Sequence, residues 1–282
     1  MRRFRWTRSR LARPVDDSGD WVTYRAQEMS ERMRSKSMRR RANAVRTVVL
    51  PLVLALCGCG IGGSTSILNP EEAKTFLSVI EQKVLSADSF RLVFEIVSQG
   101  QMESKVEGEL RLATGGRVRL EAKGSIAGED MSVLLISDGD RLYLRSPAGS
   151  QITETPKEIR EALVKGLVRM ALLHNLAQLA RGRTPERAEG GIEEWVAASE
   201  FSLDEQTSLH GVSAIPLHFD ITIGGRDVAE ATLWISAAKK PIQRRQTIYH
   251  QIGATTIKET YSVFDWDAPL PDEATFSIPA GS

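Results

Sequence analysis

The sequence predicts an α+β domain in which one large antiparallel sheet carries two helices in its chain order. Apolar residues recur at helical spacing over 70–86 and again over 157–181. Two groups of short segments, one between the helices and one after the second, alternate apolar with polar residues. Turn residues join those segments, as in Thr114-Gly115-Gly116 and Ser137-Asp138-Gly139-Asp140.

The first helix opens at Asn69-Pro70-Glu71-Glu72. Asn69 suits an N-cap, Pro70 the first helical position, and the two acids complement the helix dipole. Phe76, Leu77, Ile80, Val84 and Leu85 then form its apolar stripe. From Ser89 the period becomes two. Phe90, Leu92, Phe94 and Ile96 alternate with Arg91, Val93, Glu95 and Val97. Val106, Leu110 and Leu112 alternate with Glu107, Glu109 and Arg111, and Val118, Leu120 and Ala122 with Arg119, Glu121 and Lys123. These segments read as an antiparallel meander with one wet and one apolar face; Met131–Ile136, more continuously apolar, and Arg141–Leu144 bring it to five strands. Pro147 to Pro156 reads as a loop.

Lys157 to about Arg181 reads as one continuous second helix. Ile159, Leu163, Val164, Leu167, Met170, Leu172, Leu173, Leu176 and Leu179 cover more than a narrow stripe, so it must be largely buried. Arg181 to Gly191 is a charged loop. Four strand-like segments follow, over 217–223, 229–235, 242–252 and 255–264, and a Pro-rich tail runs from Asp265 to Pro279.

The chain before the domain has a separate logic. Residues 1–37 are basic and polar, and read as an extended n-region or as sequence ahead of a true start at Met38 or Met33. Residues 38–58 carry the parts of an export signal: Arg39, Arg40, Arg41 and Arg46, then the uncharged run from Thr47 to Gly58. The apolar core, Val48 to Leu56, is shorter than the roughly 20 residues a spanning helix needs. Leu56-Cys57-Gly58-Cys59 resembles a bacterial lipobox, which implies cleavage between Gly58 and Cys59 and fatty acylation of Cys59. An ordinary secretory signal that happens to contain cysteine is the other reading. Residues 59–69 are a Gly/Ser/Thr-rich tether, and 70–282 are the folded domain.

Charge follows the same division. Before Thr47 there are 14 Lys/Arg and 5 Asp/Glu; after Gly58 there are 23 against 31, a formal charge of −8. An acidic domain argues against nucleic acid as partner. Both cysteines, Cys57 and Cys59, fall in the signal region, so the domain holds no disulfide. His174, His210, His218 and His250 form no metal or catalytic signature, and no nucleophile elbow occurs. The expectation is a protein with no metal, no cofactor and no catalytic residues. His174 reads as a helix-face residue, His218 and His250 as outward-facing, and Asp138 and Asp140 as turn formers.

The order helix, meander, buried helix, strands resembles the periplasmic lipoprotein carriers of the LolA/LolB type. The residues carrying the resemblance are Ser89-Phe90-Arg91-Leu92, Ile136-Ser137-Asp138-Gly139-Asp140-Arg141-Leu142-Tyr143, Leu233-Trp234-Ile235 with Lys240-Pro241-Ile242, and the ending from Tyr261 to Pro279. The resemblance implies a strongly curved antiparallel sheet, an unclosed barrel, with helices packed on its concave side around an apolar cavity. Candidate cavity residues are Phe90, Leu92, Phe94, Leu110, Leu112, Leu120, Leu142, Leu144, Leu163, Leu167, Met170, Phe219 and Leu233; core packing alone is the other role open to them. The implied function is a membrane-anchored periplasmic lipoprotein that binds or transfers an acyl-chain ligand, either a lipid or another lipoprotein. The alternative is a structural or sensory envelope lipoprotein with no lipid cargo. Gly60, rather than aspartate, follows Cys59, which implies the outer membrane in a two-membrane cell.

Cys59→Ser should abolish acylation, leaving either soluble domain or uncleaved precursor, because several acyl chains anchor stably where one is marginal. Metabolic labelling with a fatty-acid probe checks this; equal labelling of the variant and the parent chain would remove the lipobox reading.

Overall fold

The computed structural model describes residues 70–184 and 196–279. The leader, the signal, Gly58, Cys59, the tether and the Asn69 cap lie outside the described residues.

Helix α1 (Pro70–Ser86) leads into β1 (Ser89–Gly100), β2 (Ser104–Ala113), β3 (Arg117–Ile126), β4 (Glu129–Asp138), β5 (Arg141–Ser146) and β6 (Gly149–Glu154). Helix α2 (Ile159–Lys165), a π-helical turn (Gly166–Met170) and helix α3 (Leu172–Ala180) follow. The second half is β7 (Val196–Leu203), β8 (Thr207–Leu209), β9 (Val212–Ile223), β10 (Arg226–Ser236), β11 (Pro241–Tyr249) and β12 (Ala254–Asp265), closing with a 3₁₀ turn at Glu273–Phe276.

All strands join one antiparallel sheet of 12, in the order β6-β5-β4-β3-β2-β1-β12-β11-β10-β9-β7, with β8 paired to β9. The two meanders are sewn together by β1 and β12, which pair from Arg91↔Asp265 to Gly100↔Thr255. The sheet does not close, and it cannot be flat. Helix α3 packs on β4 and β5, while the π turn just before it packs on β7. β4 and β7 stand eight strands apart, about 38 Å in a flat sheet at ~4.8 Å per strand. Only a curled sheet brings both against one short helical segment. The helices therefore occupy the concave side of an unclosed antiparallel sheet. The core lies there too: Phe90, Leu92, Phe94, Ile96, Leu110, Leu112, Leu120 and Leu135 form one cluster with Leu77, Ile80, Leu163, Leu167, Leu173 and Leu176.

Turn chemistry fixes the hairpins. Asp138 Oδ1 accepts the Asp140 and Arg141 N–H groups, and Gly139 takes φ 110° in the tight turn. The Arg141 amide, above all, holds the Asp138 carboxyl below the usual carboxylate range. A bulge between Val93 and Phe94 shifts the β1–β12 register around Ser262. It switches the inward parity of β12 from Ile257, Glu259 and Tyr261 to Phe264 and Trp266.

Three expectations need correction. The stretch 147–156 is not a loop: Gly149–Glu154 is a strand, exposed at every residue, and an edge strand with no buried face shows no alternation to read. The second half has six strands rather than four, because β7 is only partly buried and bulged between Ser199 and Ser202. The second helix is not continuous. It loosens into a π turn and breaks at Ala171, at φ 75° and ψ 159°. A run with apolar residues on most of its circumference hides such a break, since the residues on either side of Ala171, Met170 and Leu172, still suit a buried helix.

A non-glycine residue at that backbone conformation costs about 1–3 kcal/mol. Ala171 is fully buried, and its methyl contributes about 0.8 kcal/mol. Glycine also adds about 0.4–1 kcal/mol of unfolded-chain entropy, so Ala171→Gly should leave the denaturation midpoint nearly unchanged; a loss of about 1.5 kcal/mol, the methyl and entropy costs uncompensated, would mean the strain is absent.

Candidate functional site

The 13 apolar residues singled out from the sequence all meet in one place. Phe90, Leu92, Phe94, Leu110, Leu112, Leu120, Leu142, Leu144, Phe219 and Leu233 come from the concave sheet face, and Leu163, Leu167 and Met170 from α2 and the π turn. Each is buried. They touch across the sheet–helix boundary in one cluster, and two of them also border open recesses: Phe94 one of about 530 Å³ and Phe90 one of about 330 Å³. The recess between Ile80, Leu167, Leu233, Arg244 and Phe264 holds about 10 Å³. That is room for about one water molecule, whereas ligand pockets run to roughly 300–1,000 Å³.

At this boundary lies a polar cluster that the sequence reading missed. Arg244 on β11 stands directly across from Glu259 on β12, and both are fully buried. Arg244 Nη1 donates to the Val168 carbonyl at 2.7 Å, and Nη2 to the Arg169 carbonyl at 2.6 Å and to Gln246 Oε1 at 2.9 Å. Glu259 Oε1 accepts the Leu172 and Leu173 N–H groups at 2.7 and 3.3 Å, and Oε2 accepts the Tyr261 hydroxyl at 2.6 Å. The guanidinium thus takes the free carbonyls where the π turn ends. The carboxylate caps the N–H groups where α3 begins, and each charge complements the helix end it meets. Arg244 Nε has no hydrogen-bond partner among the described residues, and Arg244 lies over the Phe219 ring at 5.3 Å.

Burial dominates the electrostatics. It pushes the Glu259 carboxyl up, with Arg244 and the hydrogen bonds pulling the other way. Burial likewise lowers the Arg244 guanidinium and raises the Tyr261 phenol well above its ordinary value. Two further arginines tie the helices together. Arg169 forms a bidentate pair with buried Glu81 of α1, both bonds at 2.9 Å, and donates to the Val196 carbonyl of β7 at 3.2 Å. Arg160 donates to the Val84 carbonyl at 2.9 Å and to the Ala87 carbonyl, closing the end of α1.

A signal for the missed pair exists in the sequence. Ile242 and Ile248 flank Arg244 at strand parity, and Ile257 and Tyr261 flank Glu259. A charge on the inward parity of two neighbouring strands marks a buried pair. Of the polar residues singled out from the sequence, His174 on α3 is largely buried, and burial lowers its imidazole below the ordinary value. Outward-facing His218 is held between Asp204 at 2.8 Å and Thr232 at 3.0 Å, and Asp138 forms its turn. Among the described residues, no group of three His, Cys, Asp or Glu could hold a metal ion, and no helix is long and apolar enough to cross a membrane.

No family model and no curated protein sequence matches the chain. Solved structures similar to it include the LprF protein from Mycobacterium bovis, at 13% identity over 77% of this chain and 100% of that one, with a TM-score of 0.41. The lipoprotein LppX from Mycobacterium tuberculosis is 11% identical over 70% and 98%, with a TM-score of 0.35. A LolA superfamily protein from Nitrosomonas europaea is 12% identical over 73% and 97%, with a TM-score of 0.25.

Removing one member of the buried pair leaves the other charge uncompensated. Arg244→Met or Glu259→Leu alone should destabilise the domain by about 3–5 kcal/mol. The double variant should fall short of the summed losses by about 1–3 kcal/mol in a double-mutant cycle followed by urea unfolding. Strict additivity would show that the two charges act independently.

Proposed function

We propose that this chain is an exported lipoprotein, anchored to the cell envelope through acylated Cys59, that holds an acyl-chain ligand between its concave sheet and the helical segment 159–180. In a two-membrane cell its place is the periplasmic face of the outer membrane. The ligand is a lipid or another lipoprotein, and no covalent step is required of the protein.

One observation carries this reading: the cover over the apolar sheet face is broken at its centre. Helices α2 and α3 are 7 and 9 residues long, each too short to hold together without its packing. The π turn after α2 meets α3 at strained Ala171, and the cover is pinned to the sheet at that point by Arg244 and Glu259. Such a cover can lift in two parts. Apolar surface left by the sheet on one side and the helices on the other would then face an inserted chain, which gains about 0.8 kcal/mol per buried CH₂.

A second reading follows from a different observation. The recess at the boundary holds only about 10 Å³, which suits a structural or sensory lipoprotein whose core is permanently filled. Titration of delipidated domain with an environment-sensitive fatty-acid probe separates the two, alongside hydrogen exchange and a thermal melt. Acyl binding predicts saturation together with faster exchange across 159–180. Folded protein with no saturable binding would leave the filled-core reading in its place.

A further inference from the structure

The outer, convex face carries a feature that the acyl-chain reading does not use. Arg91, Arg111 and Arg119 stand directly opposite one another across β1, β2 and β3. At ~4.8 Å between strands their Cα atoms fall within about 10 Å. Like charges placed directly opposite are destabilising, so three in a row is an arrangement that sheet stability alone would not favour.

The pairing of these side chains is incomplete in a particular way. One oxygen of Glu109, Oε1, accepts Nε of Arg91 at 2.8 Å and Nε of Arg111 at 2.6 Å. Arg119 Nη2 donates to Glu121 Oε2 at 3.0 Å, and its Nη1 to the Thr275 carbonyl at 3.4 Å. Asp265 stands opposite Arg91 on β12 and balances part of its charge. The Nε contacts fix the planes of Arg91 and Arg111, and among the described residues the Nη nitrogens of both have no hydrogen-bond acceptor. Their side chains are 41% and 32% exposed, so those donors are open to solvent.

The surroundings form a trough. One recess of about 260 Å³ lies between Glu109, Arg111, Arg119, Glu121 and Thr275. A second, of about 330 Å³, lies between Arg91, Arg111 and the tail segment 268–272. Both include Arg111 and Thr275, so they run into each other. The tail wall is held in place. Ser89 donates to the Ala268 carbonyl, and buried Phe276 sits under Arg117 at 5.6 Å.

We propose that this trough is a binding site for a phosphate-type oxyanion. A guanidinium with a fixed plane presents its Nη edge to an oxyanion, and arginine is the residue that best matches phosphate. A phosphate dianion brings more charge and more acceptor oxygens than a carboxylate, so it suits guanidiniums set in a row. Glu109 and Glu121 hold the arginines in position, and their ion pairs are half-exposed and weak, so a doubly charged ligand competes with them. Asp272 on the tail wall opposes the anion and limits affinity. The phosphate has two possible sources: a free phosphate compound, or a lipid headgroup, beside which the exposed Leu270 of the same tail would rest.

Calorimetric titration of the full domain with inorganic phosphate tests the site, beside flotation with phosphatidylcholine vesicles with and without phosphatidic acid. Saturable phosphate binding is expected. Arg111→Gln should weaken it about tenfold or more, from loss of charge-assisted bonds, and Asp272→Asn should tighten it. Arg119→Gln serves as the second variant, with thermal melts confirming that each protein is folded. Flotation that depends on phosphatidic acid and on Arg111 would assign the lipid source; phosphate binding without flotation would assign the free compound. No saturable binding of either, or binding unchanged in both arginine variants, would overturn the proposal.

Discussion

The buried pair of Arg244 and Glu259 is the interaction on which the arrangement of this domain depends. Taking a guanidinium and a carboxylate out of water costs several kcal/mol per ion, and their attraction returns this only when hydrogen bonds satisfy both. Here the helical backbone supplies much of that satisfaction. The carbonyls of Val168 and Arg169 take the guanidinium, and the N–H groups of Leu172 and Leu173 take the carboxylate. A helix interrupted inside a core would otherwise leave those same groups unpaired, at a cost of about 1–3 kcal/mol each. Each half of the arrangement is unfavourable alone, and each removes the other's penalty. The break at Ala171 and the charges on β11 and β12 are two sides of one structural fact.

Curvature follows from where this point sits. Arg244 and Glu259 belong to the middle strands of the sheet, so the helical segment is fixed over its centre. From there α3 reaches β4 and β5, while the π turn and α1 reach β7. Arg169 reinforces that side by joining Glu81 of α1 to the Val196 carbonyl of β7. Both flanks bury their apolar faces only by curling onto helices pinned at the centre. The sheet remains open, and its edge at β6 is exposed throughout.

The sequence is legible where burial is one-sided. The first helix, the strands from Phe90 to Ala122, and the strands from Leu217 to Phe264 emerge from period alone, because each has one wet face; β4 and β5 are buried on both, with Leu134, Ile136 and Tyr143 packed against Ile278 of the tail. The ten candidates from the sheet share one cluster through their common inward face, and Leu163, Leu167 and Met170 join it from the helical cover. Legibility fails where burial is uniform or lacking. Residues 159–180 are apolar almost all round, so no pattern marks Ala171 as a break, and β6 has no buried face to alternate with. The Arg244–Glu259 pair was readable in principle from its parity, but a charged residue in a strand is ordinarily assigned to the wet face. Arg91, Arg111 and Arg119 show the opposite limit. Each is an unremarkable outward residue on its own strand, and only the register of β1, β2 and β3 makes them a row.

On the proposed reading, the same buried pair would set what kind of ligand can enter. Lifting the helical segment does not in itself forfeit apolar burial, since an acyl chain replaces the sheet as the partner of Leu163, Leu167 and Met170. What is forfeited is polar: Arg244 loses backbone acceptors and Glu259 loses backbone donors, several kcal/mol in all. A 16-carbon chain, at about 0.8 kcal/mol per CH₂, gains roughly 13 kcal/mol on full burial and exceeds that loss. A chain of four or five carbons gains about 3–4 kcal/mol and does not. The polar pair would thus act as a length threshold. It would keep the concave side closed to small apolar solutes and yield to a long chain, and a filled core in the ligand-free protein is what such a threshold requires.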